Sequence, residues 1–152
     1  MSDRADVKIL PPVVPVFAML VGGTIHALNP IEISAWDGLK YSGAILVFIS
    51  IILVLVAIWE ITLAKTAFDV RKPTTNLVTT GIFRFSRNPT YLSMMFLCFG
   101  IALIVNSLTL IFASVLTGSG LCLLVIRPEE SYLRQKFKDD YNSYTAEVRR
   151  WL

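Results

Sequence analysis

Charge is what this sequence has least of. Asp, Glu, Lys and Arg make up 16% of its 152 residues, where an ordinary soluble domain carries about 25%. The mean hydropathy is +0.64. Residues 88–126 hold no acid and no base at all. Such runs exclude an ordinary soluble domain and place the chain with integral membrane proteins. Metal-ligating residues are also scarce. There is one histidine, His26, and the two cysteines, Cys98 and Cys122, lie inside apolar runs. No metal site is expected from that spacing. The cysteines read as small buried hydrophobes, although a hairpin could bring them face to face. A net charge of +3 does not suggest a nucleic-acid partner. No repeat and no low-complexity segment is visible. The mixed charges of Asp3, Arg4, Asp6 and Lys8, with no small-residue cleavage site, give no expectation of a signal peptide.

What is present is a series of apolar runs. Ile9–Ile31 is uncharged and long enough for a hydrocarbon core of ~30 Å, which takes ~20 helical residues. Pro11, Pro12 and Pro15 crowd its start, where proline is best tolerated, and Asn29-Pro30 ends it. Tyr41–Ala64 carries one charge, Glu60, and is the clearest transmembrane helix. Thr66–Tyr91 is polar and turn-rich, with Lys72-Pro73-Thr74-Thr75-Asn76 and Thr79-Thr80-Gly81 reading as loop. Connections this long are usually functional. Tyr91–Ile126 as a single helix would measure roughly 54 Å, so Asn106-Ser107 is expected to divide it into about Leu92–Val105 and Leu108–Ile126. The first of these is short for a span and would be tilted or shielded. In the tail, Leu133, Phe137, Tyr141, Tyr144, Val148 and Trp151 recur at spacings of four and three, an apolar helical stripe. Arg134, Lys136, Lys138, Asp139 and Glu147 occupy the other face. Such a helix lies on a membrane surface or packs against the end of a bundle.

The expected fold is therefore an all-α integral membrane protein with about four transmembrane helices, spans 3 and 4 forming a hairpin, and a C-terminal amphipathic cytosolic helix. Residues 1–152 form one domain, with two spans in 1–64 and the loop, hairpin and tail in 65–152. Of the 14 Lys and Arg residues, only Lys40 falls on the far side of this arrangement. The positive-inside rule then makes both termini and the 66–91 loop cytosolic.

The hairpin returns two polar clusters to one membrane face. Arg84 and Arg87 stand before the third span, where they could neutralise a carboxylate or phosphate, or anchor to headgroups. Asn88-Pro89 has the form of a helix start, with Asn as N-cap and Pro first. Gly81 can take positive φ or admit a close backbone approach. Pro128-Glu129-Glu130 resembles a first turn, where acids are favoured by the helix dipole. The alternative is that a carboxylate here binds an ammonium group, and that acids and arginines together hold a zwitterion by both ends. Glu60, an acid in a span, is a functional candidate by default, but it also stands about one turn from Lys65 and could pair there. His26 would lie near the outer face, away from this cluster.

Leu77-Val78-Thr79-Thr80-Gly81-Ile82-Phe83, Arg87-Asn88-Pro89-Thr90-Tyr91, Glu129-Glu130 and the following Leu133, Phe137, Tyr141 and Tyr144 carry a resemblance. Over roughly residues 60–152 the chain resembles the isoprenylcysteine carboxyl methyltransferase family, particularly its short prokaryotic members. More remotely it resembles the phosphatidylethanolamine N-methyltransferases of the same superfamily. The resemblance implies S-adenosylmethionine as methyl donor. It implies that Thr75, Asn76, Leu77, Val78, Gly81 and Phe83 line it, that Asn88, Pro89, Thr90 and Tyr91 form another wall, and that Glu129 holds its ammonium with Glu130 alongside. Three positions depart from the pattern: Asn88 stands where eukaryotic members usually have His, although Asn is frequent in the short bacterial group; Ser93 stands where a small residue, often Gly, is usual; and Val125 stands where the prenylcysteine enzymes have an arginine.

The leading expectation is a membrane methyltransferase of a prokaryotic cytoplasmic membrane, with Glu60, Arg87 or Glu130 orienting or deprotonating the acceptor. The acceptor would be a prenylcysteine-like carboxylate, a lipid amine or a thiol, entering from the lipid bilayer. The competing expectation is a non-enzymatic four-helix membrane protein, such as a small transporter with Glu60 as its coupling carboxylate.

Overall fold

The computed structural model describes residues 4–152. It is all-helical: α1 Val13–Leu28, α2 Gly38–Leu63, α3 Pro89–Ile104, α4 Leu108–Leu121 and α5 Arg127–Glu147, with a 3₁₀ turn at Gly81–Arg84. Among the described residues there is no sheet, only an isolated bridge between Glu32 and Ser107. Two helical rods are long and apolar enough to cross a membrane. One is α2, with 26 residues, and the other is the continuous stretch Leu108–Glu147. At 16 residues each, α1 and α3 measure about 24 Å.

The helices pack in the order α2, α3, α4, α1. Between apolar helices in lipid, close packing and hydrogen bonds replace the hydrophobic drive, which favours small residues at the crossings. That is what occurs here. A Cβ on Gly43 of α2 would lie 2.6 Å from the carbonyl oxygen of Gly100 on α3, so neither position admits a side chain. Further along the α2–α3 interface, Ser50 Oγ donates to Ser93 O at 2.8 Å. The departure at Ser93 thus falls on this crossing. On the other side, a Cβ on Gly22 of α1 would lie 2.8 Å from Ala113 Cβ of α4.

The expected division of residues 91–126 is present at Asn106-Ser107. Asn106 takes φ +57°, a left-handed conformation Asn tolerates. Ser107 Oγ accepts from Leu110 N–H and caps α4.

The expectation of a separate helix starting at Pro128 is not met. α4 passes through a π-helical turn, Cys122–Ile126, directly into α5. The physical reason is Pro128 itself, which cannot donate to the carbonyl four residues back and would clash with it. Widening the preceding turn, so that Arg127 N–H reaches Cys122 O, relieves both problems. α5 kinks at Lys138 (φ 43°, ψ −113°) and ends at Val148, which is extended. The tail is therefore not helical to its end. Tyr141, Tyr144 and Val148 pack with Leu77, Leu133 and Phe137, as the stripe requires. Trp151 instead packs against a second cluster that includes Tyr91, Leu121, Val125 and Ile126.

Candidate functional site

At the end of the bundle opposite Asn106, the loop between α2 and α3, the start of α3, the first turns of α5 and residues 10–12 enclose a cavity of about 300 Å³. Its walls are mostly apolar: Phe68, Val70, Leu77, Val78 and Phe83 contribute from the loop, Met94 from α3 and Leu133 from α5. Its polar groups come from the loop, with Thr66, Asp69, Thr74 and Asn76, and from the place where α3 meets α5.

Tyr91 lies on the first turn of α3, and its hydroxyl donates to Glu129 Oε2 at 2.7 Å. No hydrogen bond from a described residue engages the other carboxylate oxygen, and Glu129 borders the cavity. Burial pushes the Glu129 carboxyl up to about 7; the Tyr91 hydrogen bond pulls against this and the neighbouring Glu130 charge adds to it. Glu130 is differently placed. Arg150 holds it in a two-pronged pair, Nε to Oε1 at 3.0 Å and Nη2 to Oε2 at 2.7 Å. Arg87 Nη2 stands 3.5 Å from Glu130 Oε1, and its buried Nε has no hydrogen-bond partner. Because α5 continues α4, there is no helix start at Pro128 and no unpaired N–H group for either acid to cap. The dipole reading of this pair is thereby removed.

The segment after α5 is tied to the site through its backbone. Arg87 N–H donates to Arg149 O at 3.0 Å. Asn88 Nδ2 and Ser86 Oγ donate to Arg150 O at 3.0 and 3.3 Å. Asn88 does precede Pro89 at the start of α3, but its side chain makes no cap bond; it pins the C-terminal segment instead. Tyr144 OH donates to Phe83 O at 2.6 Å, fixing an aromatic wall. Burial pushes Tyr141 up to about 12, with Glu130 and Glu129 adding to the shift. At the far wall, Arg71 grips Asp69 through its backbone N–H and its guanidinium, which hold that acid down at about 2.

Of the residues singled out in the sequence, Asn76, Leu77, Val78, Phe83, Arg87, Asn88, Pro89, Thr90, Tyr91, Glu129 and Glu130 all border the cavity. Thr75, Gly81 and Glu60 do not. Thr75 Oγ1 donates to Lys65 O at 2.8 Å, and Asn76 Nδ2 donates to Ala64 O at 2.7 Å. These two side chains satisfy carbonyls left open at the end of α2. Gly81 takes φ +54°, and a Cβ there would collide with the Glu60 carboxylate. Glu60 accepts from Thr80 Oγ1 at 3.3 Å and forms no described ion pair with Lys65. It therefore packs on the Gly81 turn and does not reach the cavity. His26 lies in the last turn of α1 with its buried Nδ1 unpartnered, and it does not border the cavity either. Both cysteines are free.

The sequence reading missed Arg150, the Tyr141 and Tyr144 wall as a site element, and Leu10–Pro12. Arg150 had no local signal, because a basic residue in a positive tail counts equally toward orientation wherever its side chain goes. Residues 10–12 looked like no more than the start of a span.

A largely apolar cavity with a few convergent polar groups at the end of a membrane-type helical bundle is the candidate small-molecule site of the chain. The sequence profile of the phospholipid methyltransferase family matches residues 39–140, and the chain belongs to that family. Neither a curated protein nor a solved structure matches the chain. The family is one of methyltransferases, and with two helices apolar enough to span a bilayer it makes this a membrane methyltransferase in class. The matched region contains α2, the loop and both glutamates, and it stops before Tyr141 and Arg150.

Proposed function

We propose that the chain is an S-adenosylmethionine-dependent methyltransferase, that α1 to α4 cross the membrane, and that the cavity opens to the cytosol with both termini and the 66–91 loop on that side. The membrane is most simply a prokaryotic cytoplasmic membrane, and the acceptor is lipophilic or small. One observation carries the reading: Glu129 borders a largely apolar cavity with one carboxylate oxygen bonded by Tyr91 and the other unbonded by any described residue. The partners such a ligand needs are present. Glu129 suits an ammonium, Leu77, Val78 and Phe83 suit a flat base, and Arg87 suits a carboxylate.

When bound, S-adenosylmethionine supplies a methyl group on a sulfonium, released by in-line displacement. The chain's own contribution is placement, and proximity with orientation is worth ~7–11 kcal/mol in favourable cases. Tyr91 orients Glu129, Tyr144 holds Phe83 against the cavity, and Arg87 stands where an acceptor or a cofactor carboxylate can be steadied. Glu130 is engaged by Arg150, which argues against its acting as a free base. Glu60 sits on the Gly81 turn, which supports a structural role and leaves the transport reading without a coupling carboxylate in a pathway.

The test is calorimetric binding of S-adenosylmethionine to detergent-purified protein, followed by transfer of labelled methyl to a lipid amine, a prenylcysteine and a thiol. Saturable binding with transfer to one of these acceptors is the expected result. No binding to folded protein in either detergent or lipid would overturn the proposal.

A further inference from the structure

The segment after α5 lies beyond the region the family profile matches, yet it supplies an ion pair shorter than those of Arg71 with Asp69 and Arg87 with Glu130. Its backbone is held by Arg87, Asn88 and Ser86, and Trp151 is packed beside Tyr91. None of these contacts requires the Arg150 side chain. That side chain is instead committed to Glu130, at 3.0 and 2.7 Å. A two-pronged guanidinium–carboxylate pair is geometrically selective and stronger than a point-charge contact. It is also only a third exposed on the arginine side and 13% on the glutamate side.

We propose that Arg150 is a positioning residue for Glu129: by occupying both oxygens of Glu130, it keeps two adjacent acids from competing and leaves Glu129 as the single carboxylate that meets a cationic ligand. Tyr91 on α3 and Glu130 and Tyr141 on α5 act directly on Glu129. The other charged groups of this region are Arg87 ahead of α3 and Arg150 on the C-terminal segment, both on Glu130, and Asp69, which also lines the cavity. Asp69 is answered by Arg71. Among the described residues, Glu130 without Arg150 would keep Arg87 at 3.5 Å as its cation, and its charge, already felt by Glu129, would be less compensated. Like-charged neighbours disfavour ionisation, so Glu129 would hold its proton to higher pH and lose its attraction for a cation.

This inference rests on reading Glu129 as the cofactor's acid, but its test needs no cofactor. The chain has five glutamates. Their carboxyl carbons can be labelled and titrated by NMR in micelles, with Glu129→Gln assigning the signal. In Arg150→Ala the Glu129 midpoint is expected to rise by ~0.5–1 pH unit. In Arg150→Ala/Glu130→Gln it should return toward the wild-type value, and Arg150→Lys should fall between wild type and Arg150→Ala. A merely structural arginine would lower the melting temperature and leave the midpoint in place. An unmoved midpoint in folded Arg150→Ala, or a rise that persists in the double variant, overturns the proposal. If Arg150→Ala does not fold, Arg150→Gln and Arg150→Lys carry the same comparison. Failure of the wild type to bind S-adenosylmethionine would remove the proposed function while leaving the titration result to stand on its own.

Discussion

The two ends of the bundle are both polar, and they use their polar groups in opposite ways. At the α3–α4 turn, Asn106 is fully engaged by the segment that joins α1 to α2. Its Oδ1 accepts from Ile33 and Ser34 N–H, each at 3.2 Å, and its Nδ2 donates to Ser34 O at 2.8 Å. The Asn106 side chain has no polar atom without a partner. At the cavity end, Glu130 is engaged by Arg150, but Glu129 is satisfied on one oxygen only. A closed network rigidifies, whereas an open one at the floor of an apolar cavity has capacity for a partner. The difference is therefore one of surroundings: the open acceptor of Glu129 borders a largely apolar cavity, whereas the acids near Asn106 line a polar one.

The contrast can be broken most forcefully by exchanging which end is damaged. Glu129→Gln is expected to weaken S-adenosylmethionine binding by about 100-fold, the scale of a hydrogen bond to a charged group, without loss of fold; calorimetry beside a melting curve measures both. Asn106→Ala should do the reverse. It removes the hydrogen bonds to Ile33 and Ser34, which are exposed or part-buried, costing ~0.5–1.5 kcal/mol of stability, while the dissociation constant of bound cofactor stays at the wild-type value. If Asn106→Ala abolished binding, the two ends would not be separable in this way.

A smaller effect sharpens the comparison through pH. The Glu129 carboxyl is raised from its ordinary 4.5 to about 7. In that window the folded state binds the proton the unfolded state has released, so stability falls as pH rises from 4.5 toward about 7. The melting temperature should decline over that range in wild type and in Asn106→Ala, and this component of the slope should vanish in Glu129→Gln. The smallest expected effect belongs to neither end. Ser50→Ala removes the α2–α3 hydrogen bond to Ser93 O, and such bonds within membranes average ~0.6 kcal/mol. Scanning fluorimetry should register a slight drop, with binding unchanged.

Much of the architecture was readable because its causes are local. Uncharged runs mark the helices, Asn106-Ser107 marks the turn, and the stripe from Leu133 to Val148 does bury one face of the tail. The error at Pro128 has an equally local origin. Proline followed by two acids is what a helix start looks like, and only the π-turn before it reveals a continuing helix. The site was legible in part. Glu129, Tyr91 and Phe83 were found through their motif, whereas Thr75 and Glu60 looked the same in sequence and proved to brace α2 and the Gly81 turn. Their side chains are chemically suited to either task, and what decides is the direction in which each loop turns.

By itself the sequence determined the helical class, the membrane-type hydropathy, the break in the hairpin and the candidate acids, because each follows from composition or from spacing along a few turns of chain. The tertiary structure decided which acid is free. Arg150 lies 20 residues from Glu130, reaching it only after a kink at Lys138 and an extended return past Asn88. No periodicity encodes a contact of that kind, since it depends on the packing of the whole C-terminal segment against the start of α3.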